Sequence, residues 1–335
     1  MSSSFGPLES PRISASEDLP AWRLAGLRYY ALSFFLRQKF GGRVWKLSLD
    51  AGCSCPNVDG TISDKGCIFC DLVATAPSRR LGLGALSVHE QIEQGIARVA
   101  AKRRIDQFIA YFQPGTNTHG ELGRLVDLWR AAASHPRVVG VAIGTRPDAL
   151  PEAVLDALVD LAQITWVQLE IGVQTFHDSS LGWLRRHHTA ADNAQAIRRA
   201  KARGLFVVAH VILGIPGEEL EAIVHTADKL NELGVDAVKI HNLHVLKDTD
   251  LESLWRQGQF QPMDRTQYVH SVATFLEHLS PGSVVERLVG DAPAEFLLAP
   301  AWSLQKSEVI REIDKELIRR DSFQGRFWRP AAGDK

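Results

Sequence analysis

Short apolar runs alternate with segments of helical periodicity along most of this chain. Six runs rich in β-branched residues predict strands, at 43–50, 106–113, 137–144, 164–172, 205–214 and 234–243. The segments between them carry apolar residues at helical spacing, at 87–104, 119–134, 151–163, 189–203 and 219–233. Several strand runs are apolar almost throughout, which is typical of strands buried on both faces. Six strand–helix units predict an α/β fold with a parallel sheet, closed into a complete or partial barrel; a doubly wound open sheet is the alternative.

Two flanking stretches add to this alternating core. Residues 22–42 are aromatic-rich and predict an amphipathic helix whose aromatic stripe packs against the core. The C-terminal part predicts a helix, a strand-like run at 283–290 and a final helix at 307–320 with a solvated face of mixed charge. The pattern divides the chain into a flexible N-terminal arm (1–20), a core with its N-terminal helix (21–263) and a C-terminal extension packed on the core (264–335).

Composition and charge narrow the class of protein. Of 335 residues, 45% are apolar and 23% charged, which is ordinary for a soluble globular protein. The formal net charge is −1, so no DNA partner is expected, although a local basic patch can exist within a neutral total. The N-terminus has no apolar segment typical of a secretory signal, and no apolar run is long enough for a membrane span. These features predict a cytoplasmic protein with reduced thiols and no membrane partner.

All four cysteines lie between Asp50 and Cys70. Because this stretch follows the first strand directly, it is predicted to form a loop at the carboxyl end of the sheet, where such folds build sites. Three alternatives fit the spacing: a zinc site with four cysteine ligands, a redox pair of Cys67 and Cys70, or an iron–sulfur cluster with three cysteine ligands. Gly60 and Gly66 are predicted to let the backbone bend so that the ligands converge. Spacing alone does not choose among these alternatives.

The segment KLSLDAGCSCPNVDGTISDKGCIFC (46–70) resembles the cluster loop of radical S-adenosylmethionine (SAM) enzymes. It is most similar to the YhcC-type branch, which is distantly similar to the radical SAM domain of the Elongator catalytic subunit. The resemblance continues from about residue 22 to residue 320. It includes YFQPGTNT (111–118), GTRPD (144–148), LEIGVQT (169–175), HVILGIPGE (210–218), HNLHVLKDT (241–249) and RLVGDAP (287–293).

The resemblance implies a partial (β/α)6 barrel of the TIM type and a specific chemistry. Cys55, Cys67 and Cys70 are implied to hold a 4Fe–4S cluster whose fourth iron binds SAM. A flavodoxin- or ferredoxin-like one-electron reductant is implied as partner. The reduced cluster cleaves SAM to methionine and a 5′-deoxyadenosyl radical, which abstracts hydrogen from a substrate, either an RNA base or a small metabolite or peptide. Cys53 departs from the family pattern and is interpreted as a bystander.

The resemblance also implies further site residues. The residues implied to bind SAM are Phe69, Gln113, Thr116, Asn117, Glu170, Arg186, Ile212 and Gly214. For Asn117 the alternative is a turn and helix-cap role, and for the carboxylate of Glu170 it is an internal salt bridge. His187 replaces a glycine that the family has after the arginine corresponding to Arg186, which puts the loop shape in question. Lys239 and His241 alternate onto one face of the sixth strand and are predicted to face the substrate.

Overall fold

The computed structural model describes residues 19–330 except 75, 101 and 102, so most of the predicted N-terminal arm lies outside the described residues. The strands are β1 (Val44–Leu49), β2 (Gln107–Phe112), β3 (Val138–Thr145), β4 (Trp166–Gln174), β5 (Phe206–Leu213), β6 (Ala237–Asn242), β7 (Val245–Leu246), β8 (Val284–Arg287) and β9 (Leu297–Ala299). The helices are α1 (Ala21–Leu24), α2 (Leu32–Phe40), α3 (Pro77–Arg80), α4 (Val88–Ala100), α5 (Leu122–Ala133), α6 (Glu152–Ala162), α7 (Asp178–Trp183), α8 (Ala190–Ala202), α9 (Leu220–Glu232), α10 (Asp250–Arg256), α11 (Arg265–His278) and α12 (Lys306–Arg319). None of the described helices is long and apolar enough to cross a membrane.

One parallel sheet in the order β1-β2-β3-β4-β5-β6-β8 forms the core and curls into a half barrel. All six predicted strands are confirmed, and so is the partial barrel. The strand-like run at 283–290 becomes a seventh strand of this sheet, because β8 pairs in parallel with β6. The predicted division of the chain after residue 263 stays a prediction. The segment after this residue contributes strand β8 to the main sheet. A short antiparallel pair, β7 and β9, lies beside the main sheet.

The two faces of the sheet bury different kinds of side chain. Outward-facing residues such as Phe108, Val141 and Leu169 form the main apolar core. Along the inner face of β4 the side chains change from Trp166 to Gln168 and Glu170 as the strand rises towards its carboxyl end. This gradient divides the interior into an apolar floor and a polar upper part, which is where a site on this fold is expected.

The N-terminal helix α2 closes the floor of the half barrel. The Phe35 ring stacks on Phe206 at 5.4 Å and lies 6.0 Å from Trp166, and Phe40 packs edge-on against Trp166 at 5.7 Å. Ala31, just before α2, forms a parallel bridge with Val285 of β8. The aromatic stripe is therefore packing, as predicted.

The prediction of one continuous helix over 22–42 was wrong. The segment forms α1 and α2, separated by residues 25–31. Gly26 has a φ of 78°, a left-handed conformation that ends α1, and the chain then bends at Arg28 and Tyr29 before α2 begins. The aromatic residues mask this break, because their spacing stays compatible with a helix on either side of it.

The segment from α12 to the end of the described chain packs onto the rest of the protein through α12 and again near Gln324. Helix α12 has the predicted solvated face of mixed charge, and its opposite face buries Val309, Ile313 and Leu317 beside α11. Farther along, the buried Gln324 side chain accepts from the Tyr30 backbone N–H at 2.9 Å and donates to the carbonyl oxygen of Ser283 at 2.7 Å. Both termini of the described chain thus help to hold the floor.

Candidate functional site

A cavity of about 540 Å³ opens above the polar part of the sheet. Most of the residues that sequence predicted for the site line it: Cys55, Cys67, Phe69, Cys70, Gln113, Thr116, Glu170, Arg186, Ile212, Lys239 and His241. Asn117 and Gly214, which were also predicted for the site, are not among the described residues that line the cavity. The carboxyl ends of six neighbouring strands and the loops after them thus converge on one space.

The cysteine loop is held in shape by its own backbone. Cys70 N–H donates to Cys67 O at 3.1 Å, which forms the tight turn of the C-x-x-C. Gly60 and Gly66 have φ of 86° and 72°, so the predicted bends occur at residues that adopt them without a side-chain clash. Gly66 N–H donates to Asn57 O at 2.7 Å, which folds the middle of the loop back towards the first cysteine.

Two donors converge on the Cys67 sulphur. Asn57 Nδ2 and Arg186 Nη1 each lie 3.2 Å from Cys67 Sγ. Hydrogen bonds from a cation and an amide stabilise a thiolate over a thiol. Burial, together with the nearby Cys67 and Cys55 thiols, raises the pKa of Cys70, so the three sulphurs share one small region.

The spacing of the sulphurs distinguishes the alternatives for the cysteines. Tetrahedral zinc, with bonds of about 2.3 Å to each sulphur, brings its ligands within about 4 Å of one another. Across the described residues, no three of the four cysteine sulphurs lie within 4.8 Å of each other. A cluster instead uses a separate iron for each ligand and so accepts wider spacing. Cys53 is buried in the apolar core, away from the cavity wall, which agrees with its interpretation as a bystander.

The surroundings of the cysteines suit an anionic group. Arg146 lines the cavity; burial opposes its charge, but Asp148 and, to a smaller extent, Cys55 and Cys67 outweigh burial and raise its pKa. Its Nε and Nη2 bind the Asp148 carboxylate, but its buried Nη1 has no partner among the described residues. A buried guanidinium N–H without an acceptor is costly. The residues present therefore fit a 4Fe–4S cluster with SAM, whose sulphides and carboxylate are acceptors.

The loop after β2 packs tightly on the cysteine loop. Gly115 has a φ of 73°, and a side chain there would place its Cβ 2.5 Å from the carbonyl oxygen of Cys53. Thr116 N–H donates to Ser54 O at 2.8 Å. The Asn117 side chain donates to Phe112 O at 3.0 Å and to Gly144 O at 3.2 Å, so it joins the ends of β2 and β3. The structure thus gives Asn117 a bracing contact behind the wall, and its SAM contact stays a prediction.

In the loop after β4, His187 takes the left-handed backbone conformation that a glycine adopts easily. His187 has a φ of 54°, so it adopts the left-handed conformation despite its side chain. Arg186 then reaches Cys67 with Nη1 and the Gly172 carbonyl oxygen with Nη2 at 3.0 Å. Burial, with Arg186 and Arg146 nearby, lowers the pKa of His188 to about 2. The neutral His188 ring can therefore accept from Arg186 Nε at 3.1 Å.

Apolar residues form the wall next to the cysteine loop. Ile212 packs with Ile68, Leu184 and Leu243, and Phe69 lies against the same group. This places an aromatic ring and a branched side chain at one side of the cavity, as an adenine contact requires. Gly214 lies farther along, with a φ of 91° and Met263 next to the space that its side chain would fill. The contact of Gly214 with SAM therefore stays a prediction.

A belt of buried charges crosses the interior below the cavity. The Glu170 carboxylate is fully buried and binds Lys46 at 2.9 Å, His210 at 2.8 Å and Lys239 at a shorter distance. Glu286 lies 2.7 Å from Lys46 and 3.6 Å from Lys239. Both Glu170 oxygens thus have protein partners, as the internal salt bridge predicts, and the contact of Glu170 with SAM stays a prediction.

The belt fixes the charge state of each member. Burial opposes the charge on Glu170, but Lys239 and Lys46 outweigh it and hold its pKa well below the usual range. Burial lowers the pKa of Lys239 to about 8, against the attraction of Glu170. Burial also lowers the pKa of His210, and lowers that of His241 well below its usual value, with Arg287 adding to the effect at His241. At neutral pH the belt therefore holds paired ions and neutral imidazoles.

Four residues of the site were missed by sequence reasoning: Lys46, Arg146, Glu286 and Arg287. Arg146 and Arg287 each occur within a quoted motif, at or just after the end of a strand, and that position was the available signal. Lys46 and Glu286 lie within apolar strand patterns, where a charged residue indicates a buried partner.

Two family models match this chain. The model of the Radical SAM superfamily matches residues 60–230, and the model of the Radical SAM C-terminal domain matches residues 235–319. YtqA from Bacillus subtilis, itself uncharacterized, is 35% identical over 90% of this chain and 93% of its own length. Protein YhcC from Escherichia coli is 34% identical over 88% of this chain and 95% of its own.

More distant matches extend these similarities. A tRNA uridine(34) acetyltransferase from Methanocaldococcus jannaschii is 28% identical over 48% of this chain and 30% of its own length. The solved structure of the archaeal Methanocaldococcus infernus Elp3, with residues 1–46 deleted, has a TM-score of 0.64 at 17% identity. It covers 84% of this chain, and this chain spans 64% of that one. At such identity the likeness shows a shared fold.

Proposed function

Given that this chain belongs to the radical SAM superfamily, whose members use a 4Fe–4S cluster and SAM, we propose that it cleaves SAM reductively in the cavity and abstracts hydrogen from a substrate held there. The observation that carries the proposal is the convergence of Cys55, Cys67 and Cys70 on one wall of that cavity, while Cys53 lies in the core. When bound and reduced, the cluster supplies one electron to the sulfonium of SAM, which yields methionine and the 5′-deoxyadenosyl radical.

The chain's own residues have three proposed roles in this chemistry. Cys55, Cys67 and Cys70 hold the cluster, and Arg186 stabilises the Cys67 thiolate through its hydrogen bond. Gln113, Thr116 and Phe69 form the wall against which SAM is oriented. The aromatic floor closes the barrel below the charged belt, which limits the entry of water to a site where a radical must survive.

The proposed substrate is a small molecule held by the polar upper part of the barrel, near Lys239 and His241. The cavity volume is in the range of small-molecule sites. An RNA base is the second candidate, favoured by the alignment with a tRNA uridine(34) acetyltransferase over 48% of this chain. The net charge of −1 favours the small molecule. A flavodoxin- or ferredoxin-like protein is the proposed electron donor.

The test is anaerobic reconstitution followed by dithionite reduction. We expect an electron paramagnetic resonance signal of a reduced cluster that changes when SAM is added, together with release of 5′-deoxyadenosine. The Cys67→Ala variant should lose both, and Cys53→Ala should keep both. Bound zinc without a cluster or 5′-deoxyadenosine in the wild-type protein would refute the proposal.

A further inference from the structure

The part of the cavity wall formed by β6 and β8 holds a cation, Arg287, that is only loosely paired with the nearby carboxylate of Asp291. In the belt below, Lys46 and Lys239 face Glu170 and Glu286, two cations against two carboxylates. Above it, the same Oδ2 of Asp291 lies 3.8 Å from Arg287 Nη2 and 3.0 Å from Lys306 Nζ. Two cations thus share one exposed carboxylate, and the pair with Arg287 is the longer one.

The guanidinium of Arg287 is placed beside the predicted substrate residues. Arg287 and Lys239 are partners in the register of β8 and β6, and His241 follows Lys239 on the same face. The Nε2 atom of His241 is buried and has no hydrogen-bond partner among the described residues. Arg287 and His241 therefore line one side of the cavity together, Arg287 with a long ion pair and His241 with a nitrogen that is unpartnered within the described chain.

The loop that follows β8 is fixed against β6. Gly290 N–H donates to Asn242 Oδ1 at 3.0 Å, and Asn242 Nδ2 donates to Ser303 Oγ at 2.8 Å. A Cβ at Gly290 would lie 3.0 Å from Asn242 Oδ1 and 3.2 Å from His244 Nδ1, so a side chain there would require these neighbours to shift. The positions of Arg287 and Asp291 are thus set by buried contacts.

We propose that Arg287 and His241 form a subsite for an oxyanion, a carboxylate or phosphate, carried by a small-molecule substrate. This rests on the proposed function, because the substrate shares the cavity with SAM. Arg287 binds the oxyanion through its planar fork of N–H donors, and His241 completes the site with a neutral imidazole. Asp291 releases Arg287 when the anion arrives and keeps its closer partner, Lys306. The charge of Arg287 is then balanced by the substrate.

The experiment is equilibrium dialysis of the reconstituted holoenzyme, saturated with SAM and left unreduced, against labelled inorganic phosphate and labelled succinate at constant ionic strength. Saturating SAM fills the position that its own carboxylate takes, so that a probe cannot bind there. Without a reductant, SAM is not cleaved during the measurement. One of the two probes should bind with a stoichiometry of one, and which one binds identifies the oxyanion as phosphate or carboxylate. Arg287→Gln should weaken that binding by about tenfold or more.

Further variants separate binding from misfolding. Arg287→Lys keeps the charge but not the fork and should lose less affinity than Arg287→Gln. Asp291→Asn frees Arg287 and should tighten binding by roughly two- to fivefold, a gain that a damaged fold would not produce. Arg256→Gln removes an equivalent charge from the exposed face of α10 and should bind like the wild type.

Three outcomes would overturn the subsite. In the first, neither probe binds. In the second, the Arg287→Gln and Arg256→Gln variants bind the probe equally well. In the third, bulk tRNA binds more tightly per phosphate than both probes and loses this binding in Arg287→Gln, which would assign Arg287 to an RNA backbone. Reducing the same wild-type preparation and assaying 5′-deoxyadenosine tests the proposed function separately. A protein that cleaves SAM but binds no anion loses only the subsite, and one that binds the anion but cleaves no SAM loses only the proposed function.

Discussion

Lys46 and Glu286 connect the two edge strands of the sheet across the interior of the half barrel. Lys46 Nζ lies 2.7 Å from Glu286 Oε2, although 240 residues separate them in the chain. Lys46 also binds Glu170 on the central strand, so one ammonium joins three strands. The belt does by ion pairing what backbone hydrogen bonds do in a complete barrel.

Removal of Lys46 should therefore destabilise the fold strongly. Lys46→Met leaves two buried carboxylates with only Lys239 to balance them, and breaking a buried pair in this way costs about 3 to 5 kcal/mol. Anaerobic urea unfolding measures the loss. Lys229→Met breaks an exposed pair with Glu232 and should cost less than about 1 kcal/mol. Equal losses in the two variants would show that the belt contributes no more than a surface pair.

The close approach at Gly115 should make it intolerant of a side chain. Gly115→Ala forces the backbones of the two loops apart and should cost about 2 to 5 kcal/mol, with loss of cluster binding. Gly258 has the same φ of 73°, but a Cβ there would meet nothing within 4 Å, so Gly258→Ala isolates the backbone strain, about 1 to 2 kcal/mol. Urea unfolding and iron content check both variants. If Gly115→Ala retains full iron content, the contact between the loops does not position the cysteines.

His187 should be replaceable by glycine with a gain in stability. Its left-handed backbone strains any residue with a Cβ, and glycine should recover about 1 kcal/mol. His187→Ala is the matched control, because it removes the imidazole but keeps the Cβ, and it should show little gain. The urea unfolding midpoints of the wild type, the glycine variant and the alanine variant measure the change in stability. A gain in the alanine variant as large as in the glycine variant would attribute the effect to the ring.

Acid should destabilise the fold through the buried His244. Burial lowers its pKa to about 4 in the folded state, whereas an unfolded histidine has a pKa near 6.5. Between these values the unfolded chain binds the extra proton, so stability falls as the pH drops from about 6.5 towards 4, by about 2 kcal/mol at pH 5 from this residue. Urea unfolding at pH 7 and pH 5 should show a smaller loss for His244→Gln than for the wild type. His225→Gln, on the exposed face of α9, should lose as much as the wild type, and a pH dependence unchanged in His244→Gln would contradict the assignment.

The strands and the cysteine loop could be predicted because their signals are local. A run such as ITWVQLEIG (164–172) is long, apolar and β-branched, and its burial on both faces follows from its own residues. The turn of the C-x-x-C and the bends at Gly60 and Gly66 are likewise set within a few residues. Local chemistry was thus sufficient to place the cysteine loop at the carboxyl end of the first strand, whereas most of the SAM residues came from the resemblance to the family.

The contacts that complete the site depend on segments far apart in the chain. The strand-like character of β8 was visible, but its pairing with β6 and the pairing of Glu286 with Lys46 arise only when the sheet curls. Asn117 belongs to a turn-forming motif, and nothing local indicates that its amide braces two strands behind the wall. The approach of Arg287 to Lys239 follows from the same pairing of β8 with β6.

The floor of the barrel can be completed only late in synthesis, because it needs contacts with strand β8. Tyr30 O accepts from Val285 N–H at 2.7 Å, and Ala31 bridges to Val285, so helix α2 has its full docking surface only after β8 is in place. On a ribosome, the residues around Val285 emerge long after the cysteine loop. The cysteine loop is therefore synthesised long before the floor beneath its cavity can be completed.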